Sequence, residues 1–230
     1  MPESIVILTG AGVSAESGLG TFRDAGGIWD QYSLEDVATP EGFARNPALV
    51  HDFYNTRREH AAQAHPNAAH EALAHLERHL RGRVTLVTQN IDGLHERAGS
   101  RSVYPMHGRV DQAVCAACTH RWPAPSKLST QAACPACGQN TCRPDVVWFG
   151  EMPYYLDEIE QALQRATQLV VIGTSGTVYP AAGFVEVAGQ MGVHTVEINL
   201  ARSQASAAFD RVIEGPASEA VPAWVEEVLG

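Results

Sequence analysis

Positive charge is scarce in this chain. Lys and Arg number 16 against 26 Asp and Glu, a formal net charge of −10 over 230 residues. Non-specific nucleic-acid binding needs a basic surface, so direct nucleic-acid contact is disfavoured. Basic peptides are compatible partners, although net acidity is also a common state of dissolved proteins. Long hydrophobic runs are missing as well: none approaches the ~18 residues of a membrane span, which argues against a membrane protein. The opening Met1-Pro2-Glu3-Ser4 has no basic region of the kind that begins a signal peptide, and a cytoplasmic protein is expected. No repeat and no low-complexity tail interrupts the pattern.

Cysteine is absent from all of the chain except residues 115–142, which hold all five. Cys115-x-x-Cys118 and Cys134-x-x-Cys137 have zinc-ribbon spacing, each pair able to turn two thiolates onto one tetrahedral ion. Gly138 after the second pair suits a knuckle turn. Disulfides and a redox Cys-x-x-Cys are the alternatives, and a reducing compartment disfavours disulfides. Four thiolates leave no open position, so one structural zinc is expected, with Cys142 a free thiol nearby.

The densest signal lies near the N-terminus. The apolar run Ile5-Val6-Ile7-Leu8 reads as a buried parallel strand. Gly10-Ala11-Gly12-Val13-Ser14-Ala15 follows it as G-x-G-x-x-A, a dinucleotide fingerprint in its expected place. Ser14, Ala15 and Glu16 are expected to open a helix whose first amides face a pyrophosphate. The bland reading is a tight turn alone. A ribose-binding acid closing a second strand about twenty residues on is missing. Phe22 to Trp29 is glycine-rich without a strand pattern, and Asp30 and Glu35 follow no β-run.

Further strands are expected at 84–88, 169–173 and 195–199, with short ones at 103–104 and 146–149. Helices are expected at 47–64, 68–79, 155–166, 183–191 and 222–229. Strands alternating with helices imply an α/β fold, a Rossmann-like doubly wound parallel sheet with a small inserted zinc-ribbon plus helical module. The expected division is 1–35, 81–110 and 149–230 for the nucleotide-binding domain, with 36–80 and 111–148 forming the small domain. Polar clusters end three strands: Thr88-Gln89-Asn90-Ile91-Asp92, Gly173-Thr174-Ser175, and Asn199. They read either as helix caps or as the lining of a crevice at the carboxyl ends of the strands.

Together these residues resemble the sirtuins, NAD-dependent protein-lysine deacylases. The matching stretches are Gly10 to Asp24, Thr88 to His95, His107-Gly108, both Cys pairs, Val147 to Glu151, Gly173 to Ser175, Val178 to Ala181, and Ile198-Asn199-Leu200. They span nearly the whole chain, in the family's order, as in a bare catalytic core. The resemblance implies that NAD, a consumed co-substrate, and acyl-lysine meet between the two domains. The acyl oxygen would attack C1′ of the nicotinamide ribose and displace nicotinamide. A ribose hydroxyl deprotonated through His107 would then attack the imidate, giving free lysine and O-acyl-ADP-ribose.

The resemblance assigns catalysis to His107 and Asn90. It assigns NAD to Gly10, Ala11, Gly12, Ser14, Ala15, Glu16, Phe22, Arg23, Trp29, Gln89, Asn90, Ile91, Asp92, Gly173, Thr174, Ser175, Asn199, Leu200, Ala201 and Ala217. The acyl-lysine side falls to Val147, Phe149, Gly150, Glu151 and Val178. His107 titrates near neutrality and suits a general base. Ala201-Arg202 departs from the acidic residue and proline that many relatives place after the Asn-Leu step. His51, His60, His65, His70, His75 and His79 lie in the helical stretch without a one-face metal-binding period, and read as surface or core.

Tyr54 and Arg57 are three residues apart, on one helix face. They read as an aromatic packed on the core beside a solvated Arg, or as the Tyr-x-x-Arg of the sirtuin subclass that removes succinyl, malonyl and glutaryl groups. Ala38 matches a small residue of that subclass. Arg offers a carboxylate a planar donor fork, and Tyr adds a hydroxyl. The expectation is a monomeric desuccinylase and demalonylase that also deacetylates lysine side chains of proteins. An ADP-ribosyltransferase of the same family is the runner-up. An NAD-dependent oxidoreductase is disfavoured by the missing acid, and a zinc-ribbon nucleic-acid binder by the charge.

Overall fold

The computed structural model describes residues 4–20, 32–174 and 183–230. Phe22, Arg23, Trp29, Ser175 and Val178 lie outside the described residues.

Strand β1 (Ile5–Thr9) is buried along its whole length, as its unbroken apolar run requires. It pairs in parallel with β2 (Val84–Thr88) on one side and with β7 (Gln168–Ile172) on the other. β3 (Val103–Pro105) continues outward from β2, and β8 (His194–Asn199) and β9 (Arg211–Glu214) continue from β7, all parallel. The order β3-β2-β1-β7-β8-β9 is that of a Rossmann-like sheet, and it reverses between β1 and β7. A three-stranded antiparallel sheet is inserted between β3 and β7. It contains β4 (Gly108–Cys115), β5 (Arg121–Pro123) and β6 (Cys142–Val146) in the order β5-β4-β6.

Alternation along β1 builds the two layers. Ile5 and Ile7 pack with Leu73 and Leu76 of one helix and Trp224 and Val225 of another. Val6 and Leu8 face Ile159, Leu163, Val185 and Ala188 on the opposite side. The helices are α1 (Leu34–Val37), α2 (Pro40–Arg45), α3 (Pro47–Gln63), α4 (Ala68–His79), α5 (Leu94–Arg97), α6 (Leu156–Leu163), α7 (Gly183–Gln190) and α8 (Ala217–Leu229). The starts of α2 and α3 follow local rules. Thr39 and Asn46 accept from the Gly42 and Leu49 amides at 3.0 and 3.1 Å, with Pro next in each case.

Packing divides residues 36–80. α4 lies on the large sheet beside α8, whereas Val50, Phe53 and Tyr54 of α3 pack with Val37, Ala38, Val146 and Trp148. Asn55 of α3 ties the zinc module on: its amide nitrogen donates to the Leu128 carbonyl, and its oxygen accepts from the Leu128 amide, both at 2.9 Å.

Three local expectations are corrected. No α-helix opens at Ser14, Ala15 and Glu16; the chain makes two 3₁₀ turns, Ala11–Val13 and Ala15–Ser17. The Val13 carbonyl, which an α-helix would bond to the Ser17 amide, accepts instead from Asn67 Nδ2 at 2.9 Å. Residues 147–149 leave the strand expected at 146–149, because the Val147 and Phe149 amides bond the carbonyls of His107 and Ala38. The last helix begins at Ala217 rather than Pro222. Glu16 caps it from 202 residues away, accepting from the Ser218 amide at 2.9 Å and hydroxyl at 2.6 Å. A carboxylate at a helix N-terminus is favourable.

The fingerprint glycines allow two loops to touch. A Cβ on Gly12 would lie 2.7 Å from Gly173 Cα, and the Gly12 amide donates to the Gly173 carbonyl at 2.8 Å. Both partners are backbone and cannot yield as a flexible side chain does. Gly12→Ala is therefore expected to destabilise the fold by about 1–3 kcal/mol, read as a lower urea midpoint. An unchanged midpoint would show that the loops separate freely.

Candidate active site

The strand order places four loop clusters side by side at the reversal point. Thr9 to Gly12 leaves β1, Gln89 to Asp92 leaves β2, Gly173-Thr174 leaves β7, and Asn199 ends β8. The Gln89 amide donates to the Thr9 carbonyl and the Gly10 amide to the Ile172 carbonyl, both at 2.9 Å. Gln89 Nε2 reaches Thr174 Oγ1 at 3.2 Å, and Asn199 Nδ2 donates to the Thr174 carbonyl at 2.9 Å. In sheets of this class that crevice is where nucleotides bind.

Ser14, beside the crevice, is buried at 2 % exposure. Its hydroxyl donates to Asp92 Oδ2 at 2.8 Å and accepts from Asn90 Nδ2 at 3.1 Å. Asn90 Nδ2 also donates to the Gly10 carbonyl at 3.1 Å, and Asp92 Oδ1 accepts from the Leu94 amide at 2.9 Å. Ser14 thus orients two residues assigned from the sequence, and Asp92 is held from both carboxylate oxygens. Glu16 and Ala217 meet at the α8 cap, while Leu200 and Ala201 are exposed. Arg202, the sequence departure, pairs with Glu214 at 3.2 Å.

His70 and His95 belong to this buried network, a role that their positions in sequence did not signal. Their rings lie 4.8 Å apart. His70 Nε2 is 3.4 Å from Ser14 Oγ, and its Nδ1 accepts from the Asn67 amide at 3.3 Å. His95 Nε2 is 2.9 Å from Thr9 Oγ1, which donates to Thr88 Oγ1. Asn67 caps α4 and also donates to Ser17 Oγ, so it fastens the glycine-rich loop to the helix. The one signal available for it was an Asn before an apolar helical run.

Burial, opposed by Asp92 and aided by Arg97, pulls His70 down to about 4; burial, with His70 beside it, holds His95 well below 6.5. Both are neutral in the fold, whereas the unfolded chain protonates them near 6.5. Stability is therefore fully present above that pH and falls as the unfolded state takes up protons, down to about pH 4. His70 alone accounts for a loss on the order of 3 kcal/mol over that window. Urea midpoints measured from about pH 7.5 downward should show the fall, and His70→Asn should flatten it. A flat profile in the parent protein would contradict the burial argument.

His107 stands at the margin of the β2 loop. Gly108 fixes the turn: its φ is +78°, and a Cβ there would lie 2.1 Å from the Asp145 carbonyl oxygen. His107 Nδ1 bonds the Gln89 carbonyl at 3.1 Å. Since a carbonyl only accepts, the proton is on Nδ1 and the Nε2 lone pair is available. Burial pulls its pKa below 6.5, against a smaller upward pull from the Gln89 carbonyl. The His107 carbonyl accepts from the Val147 amide at 2.9 Å, which joins the imidazole to the segment assigned to acyl-lysine.

In that segment Phe149 is 49 % exposed and Gly150 is exposed. Glu151 is not a free charge: Arg143 grips both its oxygens at 2.5 and 2.9 Å, and the Trp148 amide adds a third bond at 2.8 Å. Ala38 and Tyr54 share one apolar cluster with Trp148 and Ile91. The Arg57 guanidinium lies 5.8 Å from the Phe53 ring centre. Burial lowers the Arg57 pKa, with Tyr54 and Asp92 pulling it back up. Arg57 is thus electrostatically linked both to Tyr54 and to an Asp of the nucleotide crevice.

Cys115, Cys118, Cys134 and Cys137 converge, their sulfurs all within 4.8 Å of one another. The Cys115–Cys137 and Cys118–Cys134 separations are each 3.7 Å. A zinc tetrahedron with ~2.3 Å bonds has edges of about 3.8 Å, so the four fit that ion as a closed structural site. Gly138 closes its knuckle by donating to the Cys134 carbonyl at 2.8 Å. Cys142 is buried beside them, its thiol pushed up first by burial. No other group of metal-ligating side chains occurs among the described residues.

Residues 10–180 match the Sir2 family. An NAD-dependent protein deacylase of Caulobacter vibrioides is 56 % identical over 229 residues, covering 98 % of this chain and 96 % of the relative. The NAD-dependent protein deacylase SIR2rp3 of Leishmania major is 51 % identical, covering 98 % and 95 %. Among solved structures, a Sir2 homolog–NAD complex superposes with a TM-score of 0.90 at 40 % identity, covering 98 % and 89 %. A Sir2 complex with a deacetylated p53 peptide and acetyl-ADP-ribose reaches 0.78 at 30 % identity, covering 98 % and 92 %. With the crevice, the imidazole and the cysteine cluster all in place, the chain belongs to the Sir2 family.

Proposed function

We propose that this protein is an NAD-dependent protein-lysine deacylase that removes succinyl, malonyl and acetyl groups and releases nicotinamide and O-acyl-ADP-ribose. His107 carries the reading: its proton is committed to the carbonyl of Gln89, the residue before Asn90 in the β2 loop, which leaves the Nε2 lone pair available. In the proposed reaction the acyl oxygen attacks C1′ of the ribose and nicotinamide leaves. His107 Nε2 then takes the proton of a ribose hydroxyl as that oxygen attacks the imidate carbon. Gly10, Gly12, Gly173, Thr174 and Asn199 would hold NAD, with Asp92 accepting from its carboxamide. Tyr54 and Arg57 would receive the carboxylate of an acidic acyl chain, and small Ala38 would leave room for its length. The zinc ribbon would hold the small domain's shape.

No helix among the described residues is long and apolar enough to cross a membrane. We infer a monomer acting in the cytoplasm, where a zinc-ribbon set of cysteines is kept from forming disulfides. The test is incubation of purified protein with NAD and matched succinyl-lysine and acetyl-lysine peptides, followed by mass spectrometry. NAD-dependent loss of succinyl with formation of O-succinyl-ADP-ribose is expected. Acetyl loss alone would remove the acid-pocket assignment. ADP-ribose attached to protein, with no deacylation, would replace the reading by a transferase.

A further inference from the structure

We propose that Trp148 is a positioning residue for acidic acyl groups: its indole N–H takes a lone pair of the Tyr54 hydroxyl, so that the hydroxyl proton is directed to the acyl carboxylate. The inference rests on the reading of Tyr54 and Arg57 as the acyl-carboxylate site. Trp148 Nε1 lies 3.0 Å from Tyr54 Oη, and both residues are buried, at 3 % and 2 % exposure. An indole nitrogen can only donate, so the phenol oxygen must accept.

Among the described residues, the Tyr54 hydroxyl donates to no side chain or carbonyl. A buried O–H without an acceptor is costly, and a carboxylate would supply one in a charge-assisted bond. The direction matters. Had a carbonyl or carboxylate stood where Trp148 stands, the phenol would donate inward and present its lone pair to the pocket, repelling an anion. Burial also keeps the phenol protonated, with its pKa pushed up to about 12.

The indole is itself clamped. The Arg143 guanidinium lies 3.5 Å from the ring centre and donates to the Val146 carbonyl at 2.7 Å. Its remaining bonds go to Glu151, whose Oε2 accepts from the Trp148 amide. Phe43 packs on the ring with centroids 5.2 Å apart. Glu151 therefore acts in this segment by fixing Trp148.

The experiment is a double-mutant cycle with Trp148→Phe and Tyr54→Phe, read as kcat and KM on matched succinyl-lysine and acetyl-lysine peptides. Trp148→Phe removes the donor and keeps an aromatic ring. It should lower the succinyl-to-acetyl ratio of kcat/KM by about five- to ten-fold, through succinyl KM rather than kcat. On the Tyr54→Phe background it should lower that ratio no further, because no hydroxyl is left to orient. Additive losses, or equal losses on both peptides, would overturn the inference while leaving the acyl pocket standing. An unchanged ratio in Tyr54→Phe alone would instead overturn the acyl-pocket reading. Should Trp148→Phe melt early, benzothienylalanine at position 148 keeps the ring shape without the N–H, and must reproduce the same shift.

Discussion

Arg57→Met is expected to lower kcat/KM for succinyl-lysine by roughly thirty-fold to several thousand-fold, with little change for acetyl-lysine. The range corresponds to about 2–5 kcal/mol for truncating one partner of a desolvated charge pair. Burial is the largest influence on Arg57, and it depresses the guanidinium pKa. An incoming carboxylate would offset that desolvation, whereas an acetyl group brings no charge. Met keeps an apolar, unbranched stem and removes the guanidinium that faces the Phe53 ring. Arg57→Lys should fall between parent and Met, since it keeps the charge and loses the planar fork. Steady-state kinetics on the matched peptides decide the matter: equal losses on both would make Arg57 a structural residue of α3.

The fold and most of the crevice were legible because their signals are local. An unbroken apolar run, a glycine turn and a polar strand end each fall within a few residues, and the sheet brings them together. The cysteine pairs were legible for the same reason. What escaped depends on contacts between distant segments. Glu16 reads locally as the first turn of a helix, yet it caps α8. His70 reads as an ordinary helical histidine and His95 only as the end of the Thr88 to His95 stretch, until α4 and α5 place their rings 4.8 Å apart, with His70 against Ser14. The strands of the small sheet were missed where they are short, as at β5, or follow a glycine turn, as at β4. Glu151 is assigned to the acyl-lysine side by resemblance, and its ion pair with Arg143, eight residues away, depends on how the segment folds back. A tryptophan in an apolar stretch is usually core, and Trp148 is core with a directed N–H that only the packed Tyr54 reveals.

His107→Asn is expected to lower kcat by about 10²–10⁴-fold, the usual contribution of a positioned general base. Asn can preserve the bond to the Gln89 carbonyl through its amide nitrogen, but it supplies no basic Nε2. The network that holds Asp92 and Asn90 contains no atom of His107, so NAD should still bind to the variant. The pH profile separates a base from a structural histidine. Burial lowers the His107 pKa, and only the neutral ring accepts a proton. Parent kcat/KM should therefore be full at neutral pH and fall below pH 6.5 as one proton is taken up, with the midpoint on the acid side of the ordinary value. His70 and His95 add a loss of stability over an overlapping range, so each point requires a folded fraction measured in parallel. The acid limb should vanish from the residual activity of His107→Asn. If the limb persists unchanged in that variant, another group takes the proton and the role assigned to His107 is wrong.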